Sequence, residues 1–294
     1  MKPNDILLTD QVAIVTGGGG GIGRGIALEM ASVGADVVVV DIIPERCEEV
    51  AARVREMGRR ALAVPADVMD SDQIRALVAK ADETFGRIDI LVNNAGGVTA
   101  RRFLEQSERS WRRHIDINLV SMLAATHAAA PIMIRGGRGG SIINVSSIEG
   151  SRAAPRFSVY AACKAGMQSF TRSMAVELAE YGIRVNCIAP DHTITPGRRG
   201  NRSGPVDLST WIQQTPEQDA AYARLIPLGY EGSEAECGWA AVFLASKLSG
   251  YVTGVTLPVD GGTWASGGWL KSRDGDVWEL NVGLSSTLDK PISS

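Results

Sequence analysis

The sequence predicts an α/β fold: one doubly wound parallel sheet flanked by helices, with a weakly periodic segment inserted after the sixth strand. Three observations point there. Short apolar runs rich in β-branched residues, VAIVTG (12–17) and ADVVVVDI (35–42) foremost, are bounded by glycine or polar residues, the pattern of strands buried on both faces. Stretches of helical spacing separate such runs, so strand and helix alternate along the chain. Five consecutive glycines, Gly17 to Gly21, stand between the first strand and the first helix, where the entropic cost of ordering glycine needs a reason.

The elements follow in order. After VAIVTG, residues 22–33 carry Ile22, Ile26, Met30 and Val33 at helical spacing, with Gly34 as the stop. ADVVVVDI is the second strand, and 44–57 the next helix, with Pro44 near its first turn. RALAVPADV (60–68) holds the third strand, 71–85 a helix capped by Ser71 or Asp70, and IDILVNNAG (88–96) the fourth strand. A helix around 107–134, the strand GSIINVSS (140–147), a helix over 158–181 and the strand IRVNCIAP (183–190) come next. A helix around 233–247 and the strand VTLPVDGG (255–262) complete the alternation. With no linker and no repeat, residues 1–270 are expected to form one domain. Residues 271–294 form a tail, and its end, SSTLDKPISS, is expected to be disordered.

Composition narrows the function. The chain has 294 residues and a formal net charge of −3, which suggests neither nucleic acid nor a membrane surface as partner. No apolar run reaches the eighteen or so residues of a membrane span, and the start, MKPNDILLTDQ, does not read as a signal peptide. Cys47, Cys163, Cys187 and Cys237 are scattered, and His114, His127 and His192 form no ligand pattern. Reduced thiols, a cytoplasmic location and no metal are therefore expected.

The glycines fall at the first strand-to-helix turn, which in this fold lies outside the carboxyl ends of the strands, where dinucleotides bind. A pyrophosphate needs backbone N–H groups close by and a helix N-terminus aimed at it, and a Cβ would obstruct that approach. Asp41, at the end of the second strand, stands near the spacing of a ribose-binding carboxylate.

At this point the sequence resembles the classical short-chain dehydrogenase/reductase family. Thr16-Gly17-x-x-x-Gly21-Ile22-Gly23 is similar to its TGxxxGIG turn, rather than to the GxGxxG of other Rossmann enzymes. Asp67-Val68, Asn93-Asn94-Ala95-Gly96, Asn118 in DINLV, Ser147 in NVSS, Tyr160-Ala-Ala-Cys-Lys164 and LPVDGG match the family's remaining motifs in order. Ser147 stands thirteen residues before Tyr160, as in the family, and Cys163 sits where serine is common. The matches span roughly 11–262 and look most like 3-oxoacyl-carrier-protein reductases and secondary alcohol dehydrogenases. The resemblance implies a catalytic set of Asn118, Ser147, Tyr160 and Lys164. It also implies that Gly17, Gly20, Gly21, Ile22, Gly23, Asp41, Ile42, Asp67 and Val68 meet the cofactor. Asn94, Ala95, Gly96, Tyr160, Lys164, Pro190, Thr193 and Thr195 are expected to do the same. Thr16 and Asn93 are expected to bond backbone around the turn and the fourth strand.

Those residues suit hydride exchange at a carbinol carbon, which needs a partner for the hydroxyl proton. Tyr160 and Lys164 are four apart on a predicted helix and share a face. An ammonium about 4 Å away attracts a phenolate by roughly 4 kcal/mol at an effective dielectric of 20. That is at most about three units off the ordinary tyrosine pKa of about 10. A positively charged nicotinamide pushes the same way. Ser147 is expected to hold the substrate oxygen. The resemblance implies that Asn118 anchors a water chain to Lys164. NAD is the expected cofactor, NADP the lesser alternative, because Asp41 repels a 2′-phosphate, Gly17–Gly23 hold no basic residue and Ile42 is not basic. A homo-oligomer, a tetramer foremost, is expected from the apolar circumference of the helices around 107–134 and 158–181.

The sequence departs from the family at Pro190-Asp191, where Pro-Gly is usual, so a positive φ there becomes costlier. Residues 191–232 take the place of the family's substrate lid. QQTPEQDAAYARLI (213–226) reads as a short helix with Thr215 as N-cap and Pro216 first, closing Ala220, Ala223 and Ile226 over the nicotinamide. GRRGNRSGP is the hinge. Arg198, Arg199, Arg202 and Arg224, with Arg152 and Arg156 at the pocket mouth, hint at a substrate with an apolar body and an anionic end, such as an acyl thioester carrier or a carboxylated ring; the favoured alternative is that they solvate a flexible loop. The expected substrate is a secondary alcohol or ketone, with a 3-oxoacyl thioester or hydroxysteroid-like ketone as alternatives. A catalytically idle, redox-sensing binder of NAD(H) is the reading from another class.

Overall fold

The computed structural model describes residues 2–280, apart from 202, 273, 274 and 276. Seven strands form one wholly parallel sheet: β1 (Val12–Thr16), β2 (Asp36–Asp41), β3 (Ala61–Pro65), β4 (Ile90–Asn93), β5 (Gly140–Val145), β6 (Ile183–Pro190) and β7 (Thr256–Val259). Their order is β3-β2-β1-β4-β5-β6-β7, so the winding reverses between β1 and β4. Register places Thr16 beside Val40 and Asn93 beside Asn144. The carboxyl ends of the strands therefore line up along one edge, with a crevice at the reversal.

The helices are α1 (Gly21–Ser32), α2 (Pro44–Glu56), α3 (Ser71–Phe85), α4 (Glu108–Ile115), α5 (Ser121–Gly136), α6 (Ser158–Glu177), α7 (Pro216–Leu225) and α8 (Glu234–Ala245). Alternation of two within each strand builds two cores. Ala13, Val15, Val37, Val39, Ile90 and Val92 face α1, α2 and α8, whereas Ile14, Val38, Leu91 and Ile142 face α3 and α5. These strand side chains are buried on both faces, and removing one such side chain down to alanine costs about 2–5 kcal/mol. Met167 and Leu178 are buried, and Met174 packs against the second core. The Asp70 carboxylate caps α3, accepting from the Asp72 and Gln73 N–H groups.

The helix expected around 107–134 is not regular. A π turn, Asp116–Val120, joins α4 to α5 and contains Asn118. The stretch Glu108–Gly136 is long and apolar enough to cross a membrane by length and composition alone, as core helices also can be. In the fold Ala125, Ala129 and Met133 instead fill the core beneath α3.

The inserted segment is closed at its base. Gly232 N–H donates to the His192 carbonyl (3.1 Å) and Ile194 N–H to the Gly232 carbonyl (2.8 Å), a short parallel bridge centred on Thr193. Inside it, α7 begins where the sequence places it, with a capping box between Thr215 and Gln218. Beyond β7, β8 (Leu270–Lys271) and β9 (Trp278–Glu279) form a small antiparallel ribbon. Arg224 Nε on α7 donates to the Lys271 carbonyl (2.8 Å), which ties this ribbon to the inserted segment. The segment SSTLDKPISS and Arg202 lie outside the described residues.

Candidate active site

The glycine turn is held from both neighbours. Thr16 Oγ1 donates to the Val92 carbonyl (3.1 Å) and accepts from the N–H groups of Asn94 (3.0 Å) and Ala95 (3.1 Å). Asn94 Nδ2 donates to the carbonyls of Thr16 (2.9 Å) and Gly17 (3.1 Å). The backbone role expected of Asn93 thus belongs to Asn94. Asn93 Nδ2 instead donates to Asn144 Oδ1 (2.8 Å) and Thr126 Oγ1 (3.1 Å) in the buried space beneath α5. Gly17 has φ +63°, and a Cβ on Gly23 would collide with the Gly17 carbonyl and the Asn94 amide. No side chain caps α1, and Ile22 of its first turn lines the main cavity. An uncapped helix start at the mouth of a glycine cradle suits an anion, so the residues present fit a dinucleotide pyrophosphate.

At the end of β2, Asp41 Oδ2 accepts from Gly19 N–H (3.2 Å) and Oδ1 from Ile43 N–H (3.1 Å), which leaves lone pairs that could accept from hydroxyl donors. Ile42 is exposed beside it. Asp67 Oδ1 accepts from Met69 N–H (2.9 Å) at the end of β3, with Val68 buried next to it. Arg46 was not anticipated. It is buried against Gly19 and Gly20, and its Nε and Nη2 donate to the carbonyls of Gly204 (2.6 Å) and Asn201 (3.0 Å) of the inserted segment. Its one sequence signal was a place in the first turn of α2, five residues past Asp41.

The main cavity, about 920 Å³, brings together Gly96, Ser147, Tyr160, Pro190, Thr193 and Thr195. Asn118 is fully buried. Its Oδ1 accepts from Gly97 N–H (3.1 Å), and its Nδ2 donates to the carbonyls of Gly97 (2.8 Å) and His114 (2.9 Å). The side-chain amide thus positions the Gly97 backbone. Ser147 Oγ accepts from Glu149 N–H (3.2 Å) and donates to the Pro190 carbonyl (3.5 Å). Thr193 is buried, and its own N–H and C=O stay out of the bridge with Gly232.

Tyr160 and Lys164 share a face of α6, but not with the electrostatics the sequence suggests. Lys164, 3 % exposed, donates from Nζ to the Val145 carbonyl (2.7 Å), and Nζ lies 5.5 Å from the Tyr160 ring centre. Burial pushes the phenol of Tyr160 up to about 12, assisted by Glu149 and Asp191, while its hydrogen bond with Ser147 pulls the other way. Burial pulls Lys164 down to about 8. Desolvation outweighs the lowering expected of Lys164.

The far end of the cavity is polar. The backbone strain expected at Asp191 falls one residue later, on His192 (φ +41°). Asp191 Oδ2 accepts from Thr263 Oγ1 (2.8 Å) and Arg152 Nη2 (3.2 Å) and lies 3.2 Å from His192 Nε2. Burial is the main cause holding His192 below its ordinary pKa. On α7 it is Tyr222 that reaches this cavity, between His192 (ring centres 5.3 Å apart) and Arg198 (5.0 Å from the ring centre). Ala220 is exposed, and Ala223 borders a separate cavity of about 480 Å³ with Gln213 and Asp219. The short helix does not bring the face expected of it to this cavity: Ile226 is buried against Gly261 instead. Arg152 is at the mouth, paired with Glu149 and Asp191. Arg156 is not among the residues lining the cavity. His114 is buried and lines the cavity, and burial lowers its pKa.

Comparison with known proteins agrees with this geometry. The family model described as enoyl-(acyl carrier protein) reductase matches residues 17–263. The chain is 40 % identical over 262 residues to oxidoreductase UcpA of Salmonella typhimurium, covering 87 % of this chain and 95 % of that protein. It is 38 % identical over 255 residues to 2-dehydro-3-deoxy-D-gluconate 5-dehydrogenase of Escherichia coli, covering 87 % and 96 %. A solved structure of 7α-hydroxysteroid dehydrogenase with NADH and 7-oxo glycochenodeoxycholic acid superposes with a TM-score of 0.81 at 32 % identity, covering 89 % and 97 %. With these matches, a seven-stranded parallel sheet and a glycine cradle at its reversal, the chain belongs to the classical short-chain dehydrogenase/reductase family and is a nicotinamide-dependent oxidoreductase.

Proposed function

We propose that the protein interconverts a secondary alcohol and a ketone with NAD(H), using Ser147, Tyr160 and Lys164. The observation that carries this reading is the meeting of Ser147 and Tyr160 in one cavity with the first turn of α1, over a buried Lys164. Bound there, the nicotinamide supplies the hydride acceptor or donor and, when oxidised, a positive charge. Gly17–Gly23 and the start of α1 hold the pyrophosphate, Asp41 the adenosine ribose, and Pro190, Thr193 and Thr195 the nicotinamide side. Ser147 holds the substrate oxygen. Tyr160 takes the hydroxyl proton in oxidation and returns it in reduction, while Lys164 sets the field in which it does so. Asn118 positions the Gly96–Gly97 wall. Asp41, with Arg46 already committed to two carbonyls, favours NAD(H) over NADP(H).

The test is nicotinamide absorbance over a panel of secondary alcohols and ketones, with wild type and Tyr160→Phe. Tyr160→Phe is expected to bind NADH normally and to turn over about 10²–10⁴-fold more slowly. Turnover within about threefold of wild type would refute the mechanism. A homo-oligomer belongs to the same proposal: Val120, Leu123, Val176 and Trp239 are large apolar side chains exposed on helices. Light scattering that returns a monomer mass would overturn it.

A further inference from the structure

We infer that the substrate is a small hydroxylated carboxylic acid, its carboxylate held by Arg198 and its hydroxyl groups by Glu149 and Asp191 in the same cavity. The inference rests on the alcohol–ketone reading above and names the substrate class of that site. Glu231, 8 % exposed on its side chain, pairs with both Arg198 and Arg199. One carboxylate between two guanidinium groups leaves a surplus positive charge. Arg198 is also fixed in plane, stacked on Tyr222, and its Nη1 is buried with no hydrogen-bond partner among the described residues. A planar guanidinium held at a cavity wall by a stacked ring suits a carboxylate.

The other arginines near the cavity are less suited. Arg46 is committed to the Asn201 and Gly204 carbonyls, and Arg152 to Glu149 and Asp191. Arg113 lines the cavity but is exposed, and no partner fixes it among the described residues. Glu149 and Asp191 also line the cavity, and they share one arginine, which leaves acceptor capacity on both. Acceptors of that kind take hydroxyl donors. An apolar ketone would engage neither Arg198 nor these carboxylates, and a neutral polyol would not use the charge of Arg198. Because the same 920 Å³ must also admit the nicotinamide end of the cofactor, the substrate is small.

The test compares aldonates of four to six carbons with alditols of the same length and with cyclohexanol, in wild type, Arg198→Gln and Arg198→Lys. Wild type is expected to prefer aldonates. Arg198→Gln is expected to lose about 10–100-fold in kcat/KM on aldonates, mostly through KM, while alditol turnover changes less than about threefold. Arg198→Lys, which keeps the charge but not the fork, is expected to fall between. Equal use of aldonates and alditols, or equal losses on both, would overturn the assignment. If no alcohol or ketone turns over with either nicotinamide, the dehydrogenase reading fails instead. Calorimetric titration of NADH-loaded wild type and Arg198→Gln with gluconate and glucitol then still decides the role of Arg198. Gluconate binding that Arg198→Gln leaves unchanged would overturn it.

Discussion

Lys164→Met should make the pH dependence of stability reveal a cost that the native site carries. The ammonium of Lys164 is buried and ordinarily titrates near 10.5, whereas in the fold burial pulls it down to about 8. That difference corresponds to about 3 kcal/mol, at 1.36 kcal/mol per unit. Below pH 8 the folded protein holds the charge against desolvation, and the cost is fully present. Between pH 8 and 10.5 the unfolded chain binds more protons than the folded one, so stability rises with pH as the cost is relieved. Methionine has no such window. Losing the bond to the Val145 carbonyl costs a further about 1–3 kcal/mol, but independently of pH. The measurement is urea unfolding of both proteins, cofactor-free, from pH 7 to 10.5. Wild-type stability minus that of Lys164→Met is expected to grow by about 3 kcal/mol across the range. Tyr160 and Cys187, raised by burial to about 12 and about 11, lower stability in this range through their titration in the unfolded chain, but they do so in both proteins and cancel in the difference. A flat or falling difference would show that Lys164 is not desolvated, and the argument for its field on Tyr160 would go with it.

Three more outcomes follow from the geometry. Gly23→Ala forces a methyl into the Gly17 carbonyl and the Asn94 amide, so NADH affinity measured by fluorescence titration should fall by more than about 100-fold; binding within threefold would show a turn that yields. Wild type should show higher kcat/KM with NADH than with NADPH, and Asp41→Ser should narrow the ratio; a wild type favouring NADPH refutes the assignment of Asp41. Hydrogen exchange in segment 191–232 should slow when NADH and a substrate analogue bind; equal protection in both states would rule out a lid.

What was legible in the sequence was what short spacing dictates. The TGGGGGIG turn, the Asp41 position and the Tyr160–Lys164 pair are set by residues within a turn or two of each other, so the fold and the reacting end of the site could be read from motifs. The π turn at Asn118 was hidden, because DINLV has the composition of an ordinary helix and the irregularity comes from its amide bonding Gly97. The direction of the Tyr160 shift was hidden too. Spacing sets a distance along a helix, but not that Val145 takes the ammonium or that the phenol is desolvated. His192, Tyr222 and Arg198 meet through a segment without periodicity, where packing rather than pattern chooses neighbours.

Arg46 touches Gly19 and Gly20 on one side and holds the carbonyls of Asn201 and Gly204 on the other. The glycine turn and the inserted segment therefore share a residue. Substitutions near Asp41 and substitutions in the loop 201–204 should be epistatic, with effects on coenzyme choice and substrate choice that do not add. Redesigning this protein for the phosphorylated coenzyme by recruiting Arg46 would release the loop it now anchors, and so alter which substrates are accepted. The two preferences are inherited together, and an evolutionary path that changes one passes through the other.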